Sequence, residues 1–160
     1  MATTRPVSER SAGEKIRWGI CATGGIADSF VTGLASVGDA EVVAVGSRTQ
    51  ERANEFADRH GIANRHGSYE ALAADDEVDV VYVATPQNRH VDDTLLFLGA
   101  GRHVLCEKPF ARSATELETM VASARNSNLF LMEAIWSRFL PAYVRLRELL
   151  AEGALSLIHI

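Results

Sequence analysis

The chain has 160 residues, 47% of them hydrophobic and 23% charged, with a net charge of −5. That length fits one compact domain, and the apolar fraction excludes a disordered chain. No apolar run approaches the ~18 residues a membrane-spanning helix needs, and the 16 Lys+Arg are dispersed among 21 Asp+Glu, which argues against a nucleic-acid binder. Two cysteines do not make a secreted disulfide scaffold. Residues 1–15 are polar and carry Arg5, Glu9, Arg10 and Glu14 without an apolar signal-peptide core. They read as a disordered leader on a cytoplasmic protein.

Short β-rich runs alternate with helical patterns along the chain, the signature of a parallel α/β sheet. The first run, Ile16 to Cys21, closes on the turn Ala22-Thr23-Gly24-Gly25, and a helix is predicted from Ile26 to Val37. The second run spans Glu41 to Ser47. After it, Ala53, Phe56, Ala57 and His60 fall on one helix stripe, with Gly61 as its C-terminal cap. A weak strand at Asn64–His66 and a short helix from Ser68 to Ala74 precede the clearest strand, Val78 to Ala84, whose continuous β-branched character suits a sheet centre covered on both faces. Val91, Thr94, Leu95 and Leu98 mark a helix that stops at Gly99-Ala100-Gly101, and His103 to Cys106 is the next strand. Ser113 and Glu116 form a predicted capping box before a helix that buries Leu117, Met120, Val121 and Ala124. Leu129–Ala134 reads as a sixth strand and Ala142–Glu152 as a last amphipathic helix. These elements compose a doubly wound parallel sheet of order 3-2-1-4-5-6. In that order strand 4 separates Cys21 from Cys106 by about 9–10 Å, beyond the ~7 Å a disulfide tolerates, so both are expected to be free thiols.

Three constellations carry chemistry. In the turn after strand 1, Ala22, Gly24 and Ala27 take the three small-residue places of a dinucleotide fingerprint, and Gly25 and Ile26 open a helix whose free N–H groups suit an anion. At the end of strand 2, where an NAD enzyme tends to carry Asp or Glu for the ribose 2′-hydroxyl, this chain has Ser47-Arg48-Thr49. That favours NADP over NAD as cofactor. Thr85-Pro86-Gln87-Asn88-Arg89-His90 and Glu107-Lys108-Pro109 follow strands 4 and 5, at the strand ends where open α/β sheets bind ligands.

The run Gly101-Arg102-His103-Val104-Leu105-Cys106-Glu107-Lys108-Pro109-Phe110 resembles the signature of the Gfo/Idh/MocA oxidoreductases, and the likeness extends from Ile16 to about Gly153. Within that family, Trp18-Gly19-Ile20-Cys21 and Met132 to Pro141 look most like the dihydrodiol and D-xylose dehydrogenase branch. The resemblance implies a Rossmann domain over 16–140, the start of a C-terminal substrate domain at 141–154, and the rest of that domain missing. It implies hydride transfer between a nicotinamide cofactor and a sugar, polyol or dihydrodiol hydroxyl, in an enzyme whose complete chain forms a homo-oligomer. Lys108 would be the catalytic group beside the nicotinamide, Pro109 would follow a cis bond, Pro86, His90, Trp136 and Arg138 would line the cofactor, and a second acid/base would come from the absent domain. The chemistry is coherent, because oxidising an alcohol needs a proton acceptor and a cation near the developing oxyanion. A lysine in a partly desolvated cleft beside a nicotinamide cation can have its pKa lowered toward use as an acid or base.

The competing readings are weaker. A short-chain dehydrogenase would need Gly where Asp28 stands, and Lys four residues after a Tyr, but Tyr69, Tyr82 and Tyr143 are followed by Ala73, Pro86 and Arg147. The five His have no metal-binding spacing; His60 and His66 read as a helix end and a strand surface, so no metal is expected. A non-catalytic dinucleotide-binding module would keep the Gly24 turn and have no need of Lys108. Finally, Leu155 to Ile160 back-translates as CTG TCT CTT ATA CAC ATC, resembling a transposon-end adapter, and reads as a non-native tail, the alternative being a natural apolar strand that begins the second domain.

Overall fold

A computed structural model describes residues 13–154; the predicted leader and tail lie largely outside them. Six parallel strands, β1 (Ile16–Cys21), β2 (Ala40–Gly46), β3 (Asn64–His66), β4 (Val80–Val83), β5 (His103–Cys106) and β6 (Leu131–Glu133), form one sheet in the order β3-β2-β1-β4-β5-β6. This is the predicted doubly wound order, with its switch point between β1 and β4. Helices α1 (Gly25–Leu34) and α2 (Gln50–His60) cover one face; α3 (Tyr69–Ala73), α4 (His90–Gly99) and α5 (Ala114–Asn126) cover the other. A short 3-10 turn, Trp136–Phe139, leads into α6 (Pro141–Ala151).

The strands alternate their side chains between two cores. Ile20, Val45 and Tyr82 pack with Ala27, Val31, Phe56 and Ala57 on the α1/α2 side. Their neighbours Cys21, Ala44, Val81 and Val83 pack with Leu72, Phe97, Leu98 and Met120 on the other. Both faces are therefore apolar, which is why β4 reads as an unbroken hydrophobic run. Glycine is required sterically at two strand positions: a Cβ on Gly19 would come within 2.9 Å of a Val78 methyl, and one on Gly46 within 2.9 Å of Leu72.

Boundaries differ from expectation where side chains intervene. Helix α1 ends three residues early because the Ser36 hydroxyl donates to the Gly33 carbonyl at 2.7 Å and diverts it from the ladder. Strand β4 begins at Val80, since the Asp79 carboxylate is engaged by the Arg17 backbone N–H and guanidinium. The capping box before α5 is shifted: the Ser113 hydroxyl accepts from Glu116 N–H, but the Glu116 carboxylate accepts from Arg112 N–H, one residue before the cap. Pro141 starts α6 at N1, where its missing N–H costs nothing.

Cys21 and Cys106 are both buried and unbridged, at matching heights on either side of Val83. Burial pushes the Cys21 thiol well above its ordinary range and pushes Cys106 up to about 12. Neither forms thiolate at mildly alkaline pH, and thiolate is the reactive species. An Ellman titration is expected to find no reactive thiol in the native chain and both after denaturation. Reaction of either thiol in the native chain would contradict this packing.

Candidate functional site

The register aligns the sheet's carboxyl edge. Gly46, Cys21, Val83, Cys106 and Glu133 lie in one row across five strands, so the five loops that follow them emerge side by side. Just beyond that row, Ala22 N–H donates to Gly46, Ala84 to Cys21, Glu107 to Val83 and Ala134 to Cys106, all within 2.8–3.0 Å. Every motif singled out in the sequence sits on this edge.

Over the β1/β4 switch point opens a cavity of about 570 Å³ lined by Ala22, Gly24, Ser47, Arg48, Thr85 and Pro86, together with Arg52 and Tyr69. Gly24 caps α1 in extended backbone, leaving the first N–H groups of that helix without intrahelical partners. Gly25, the first helical residue, and Ile26 are exposed there. The left-handed position of the turn falls on Ala22, at φ 87°, where such fingerprints usually place glycine. Ser47 is buried beneath the cavity while Arg48 is exposed, and Thr49 caps α2 by accepting from Arg52 N–H. Among the described residues neither the Arg48 nor the Arg52 guanidinium has a carboxylate partner. The Thr85 hydroxyl is buried without a hydrogen-bond partner. An elongated anionic ligand with hydroxyl groups would satisfy all three, so the cavity fits a dinucleotide.

Lys108 and Pro109 line a second, shallower cavity of about 400 Å³ with Glu133, Ile135, Trp136 and Ser137. The Lys108–Pro109 bond is cis, and Lys108 is exposed, so no wall of the described chain encloses it. Glu107 is 7% exposed. One of its oxygens accepts from the Tyr82 hydroxyl at 2.6 Å and the other from Lys108 N–H at 3.0 Å. Burial, and then the hydrogen bond to Glu107, push the Tyr82 phenol far above its usual range and keep it a donor. His90 does not face the open cleft. It is 1% exposed, with Nδ1 2.9 Å from the Pro109 carbonyl and Nε2 2.9 Å from the Thr85 carbonyl, tying the two loops together from below. Trp136 is 63% exposed on the 3-10 turn and reaches the Lys108 cavity, whereas Arg138 is exposed and lines neither cavity.

Residues 16–135 match the family model described as "Oxidoreductase family, NAD-binding Rossmann fold". The chain belongs to the Gfo/Idh/MocA oxidoreductase family. It is 50% identical over 143 residues to a mouse trans-1,2-dihydrobenzene-1,2-diol dehydrogenase, covering 88% of this chain and 43% of that protein. The zebrafish (Danio rerio) protein of the same name is 44% identical over 147 residues, with 91% and 44% covered. The chain thus spans less than half the length of the curated relatives it matches. Among solved structures, a 3-ketoreductase from Actinomadura kijaniata, in complex with TDP-benzene and NADP, superposes with a TM-score of 0.82 at 33% identity, over 89% of this chain and 45% of that one. A Lactobacillus casei scyllo-inositol dehydrogenase, at 20% identity and a TM-score of 0.81 over 90% of this chain and 43% of that one, shares the fold.

For this Gfo/Idh/MocA chain, the structure gathers Ala22, Gly24, Ser47, Arg48, Thr85 and Pro86 around one cavity and Lys108 with Trp136 around another. Sequence reasoning missed Arg52, whose signal was its place in the first turn of the helix that opens just after Arg48. It also missed Tyr82, which had read as strand core, and Glu133, for which no local signal existed.

Proposed function

We propose that this chain is the nucleotide-binding part of an NADP-dependent dehydrogenase. It would transfer a hydride between the nicotinamide and a hydroxyl-bearing carbon of a sugar, polyol or dihydrodiol. The observation that carries the reading is the β1/β4 cavity, which joins a helix N-terminus, the orphaned Thr85 hydroxyl and two carboxylate-free guanidinia, Arg48 and Arg52. The dihydrodiol dehydrogenase names of the relatives and the NADP held by the ketoreductase support it.

When bound, the nicotinamide accepts or delivers the hydride. Gly24, Gly25 and Ile26 would present backbone N–H groups to the pyrophosphate over the tight turn made at Ala22; Ser47, Arg48 and Arg52 would hold the adenosine end, and Thr85 and Pro86 would form the floor. Lys108, presented at the neighbouring cavity, would as the neutral amine accept the hydroxyl proton on Nζ, and the ammonium so formed would stay beside the oxygen. Trp136 and Arg138, on the turn beside it, would close the nicotinamide end. The remaining reading is a homo-oligomer in the cytoplasm, and the two free thiols are in keeping with that compartment.

Isothermal titration of the purified 160-residue chain with NADP⁺ tests the reading. Saturable binding at one site per chain, lost on adding a Cβ branch at Gly24 (Gly24→Val), is expected. No binding by the wild-type chain, or unchanged binding by the variant, would overturn it.

A further inference from the structure

The segment that presents Lys108 is held in an unusual way. After Glu107 N–H closes the last rung of β5, no backbone-to-backbone hydrogen bond joins residues 108–112 among the described residues. Gln87 donates to the Ala111 carbonyl at 3.3 Å and Glu116 of α5 accepts from Arg112 N–H, while side chains from three further elements hold Glu107–Phe110. Tyr82 of β4 fixes the Glu107 carboxylate that receives Lys108 N–H, His90 of α4 meets the Pro109 carbonyl, and Glu133 of β6 accepts from Phe110 N–H at 2.8 Å.

We propose that Tyr82 and Glu133 are positioning residues, which together fix the Glu107–Phe110 turn so that Lys108 projects its amine over the neighbouring cavity. The inference rests on the reading above that Lys108 is the acting amine. Neither residue touches that amine. Tyr82 acts through Glu107, and its own ring is fixed by stacking on Phe30 of α1, with centroids 3.8 Å apart and planes at 15°. The phenol cannot swing without breaking that stack, so the Glu107 carboxylate has one preferred position and its second oxygen meets Lys108 N–H. Glu133 acts at the other end of the turn. With both ends pinned, the Lys108 Cα is placed by the sheet itself, although its side chain is exposed. Rate in a hydride-transfer step depends steeply on such placement, since a misplacement of about 1 Å can cost ~10²-fold.

The substitutions separate positioning from folding. Tyr82→Phe keeps the stack and removes only the donor. Glu133→Ala removes the acceptor for Phe110 N–H, whereas Glu133→Gln retains an acceptor oxygen at the same reach. The first readout needs no cofactor. Amide hydrogen exchange at Lys108 in Tyr82→Phe, and at Phe110 in Glu133→Ala, is expected to accelerate at least about 10-fold over wild type, with Glu133→Gln at the wild-type rate. The second uses the enzyme of the complete reading frame. Both damaging variants should lower kcat about 10-fold or more with dinucleotide KM little changed, and Glu133→Gln should restore it. A third uses the chain's two lysines, Lys15 and Lys108. With Lys15→Arg, ¹³C-methylation reports Lys108 beside only the N-terminal amine, whose signal is assigned with Lys108→Arg, and the NADP⁺-induced shift of Lys108 should be lost in Glu133→Ala and kept in Glu133→Gln. Unchanged exchange and kcat in Glu133→Ala, a loss confined to KM, or a Glu133→Gln as impaired as Glu133→Ala would overturn the proposal. If the wild-type chain binds no dinucleotide, the functional reading fails, and amide exchange still decides whether these residues hold the turn.

Discussion

Replacing Lys108 with alanine, in the enzyme of the complete reading frame, is expected to lower kcat by about 10²–10⁴-fold, the usual span for loss of a proton-transferring group. The reason is geometric. Lys108 lines the cavity of Trp136 and Ile135 and not the one bounded by Gly24, Arg48 and Thr85. Truncating it therefore leaves every group that would hold the dinucleotide phosphates in place, and NADP⁺ affinity should change little. Lys108→Arg refines the test, because guanidinium keeps the positive charge but does not give up its proton in a protein. A variant that recovers part of the lost rate would assign that part to electrostatic stabilisation, and the remainder to proton transfer. Steady-state rates and dinucleotide titrations on the three proteins check this. Full turnover by Lys108→Ala would remove Lys108 from the reaction and leave the chain as a binding module.

The strand order, the position of every chemistry-bearing loop and the free state of both cysteines were legible in the sequence, for a common reason. Each depends on local pattern, namely period-two burial on two faces and crossover helices whose hand and order leave few alternatives. Residues whose partners lie far along the chain were not legible. Tyr82 looks like any aromatic in a buried strand, and only the fold brings its hydroxyl to Glu107, 25 residues away. Glu133 stands 23 residues from the Phe110 N–H it receives. His90, which the family resemblance implies would line the cofactor, is a subtler case. Two backbone carbonyls already face its ring nitrogens, and that competition cannot be read from the sequence. The turn after β1 shows the converse. Its third small residue, Ala27, is fully buried against the sheet as expected, yet the strained left-handed backbone falls on Ala22 and not on a glycine. Spacing located the turn without revealing which of its residues bears the unusual φ.

Arg48→Ala is expected to weaken NADP(H) binding by about 10- to 150-fold and leave NAD(H) nearly unaffected. The size follows from one charge-assisted hydrogen-bonded contact, worth roughly 1.5–3 kcal/mol. The direction follows from what surrounds it. No carboxylate lines the cavity at the end of β2, so no group there is placed to accept from a free 2′-hydroxyl or to repel a phosphate. Arg48 and Arg52 offer planar, permanently charged forks suited to phosphate oxygens. Because Arg52 lies in the first turn of α2 and lines the same cavity, it should retain part of the selectivity in the single variant. Arg48→Ala/Arg52→Ala should then bind the two dinucleotides alike. Ionic strength gives an independent check, since screening weakens exposed charge pairs. NADP(H) affinity should fall more steeply with added salt than NAD(H) affinity in wild type, and the two slopes should converge in the double variant. Titrating both dinucleotides against all three proteins at two salt concentrations measures each term. Equal loss of NADP(H) and NAD(H) in Arg48→Ala would mean that the guanidinium stacks on the adenine shared by both, and the phosphate preference would have to be assigned elsewhere.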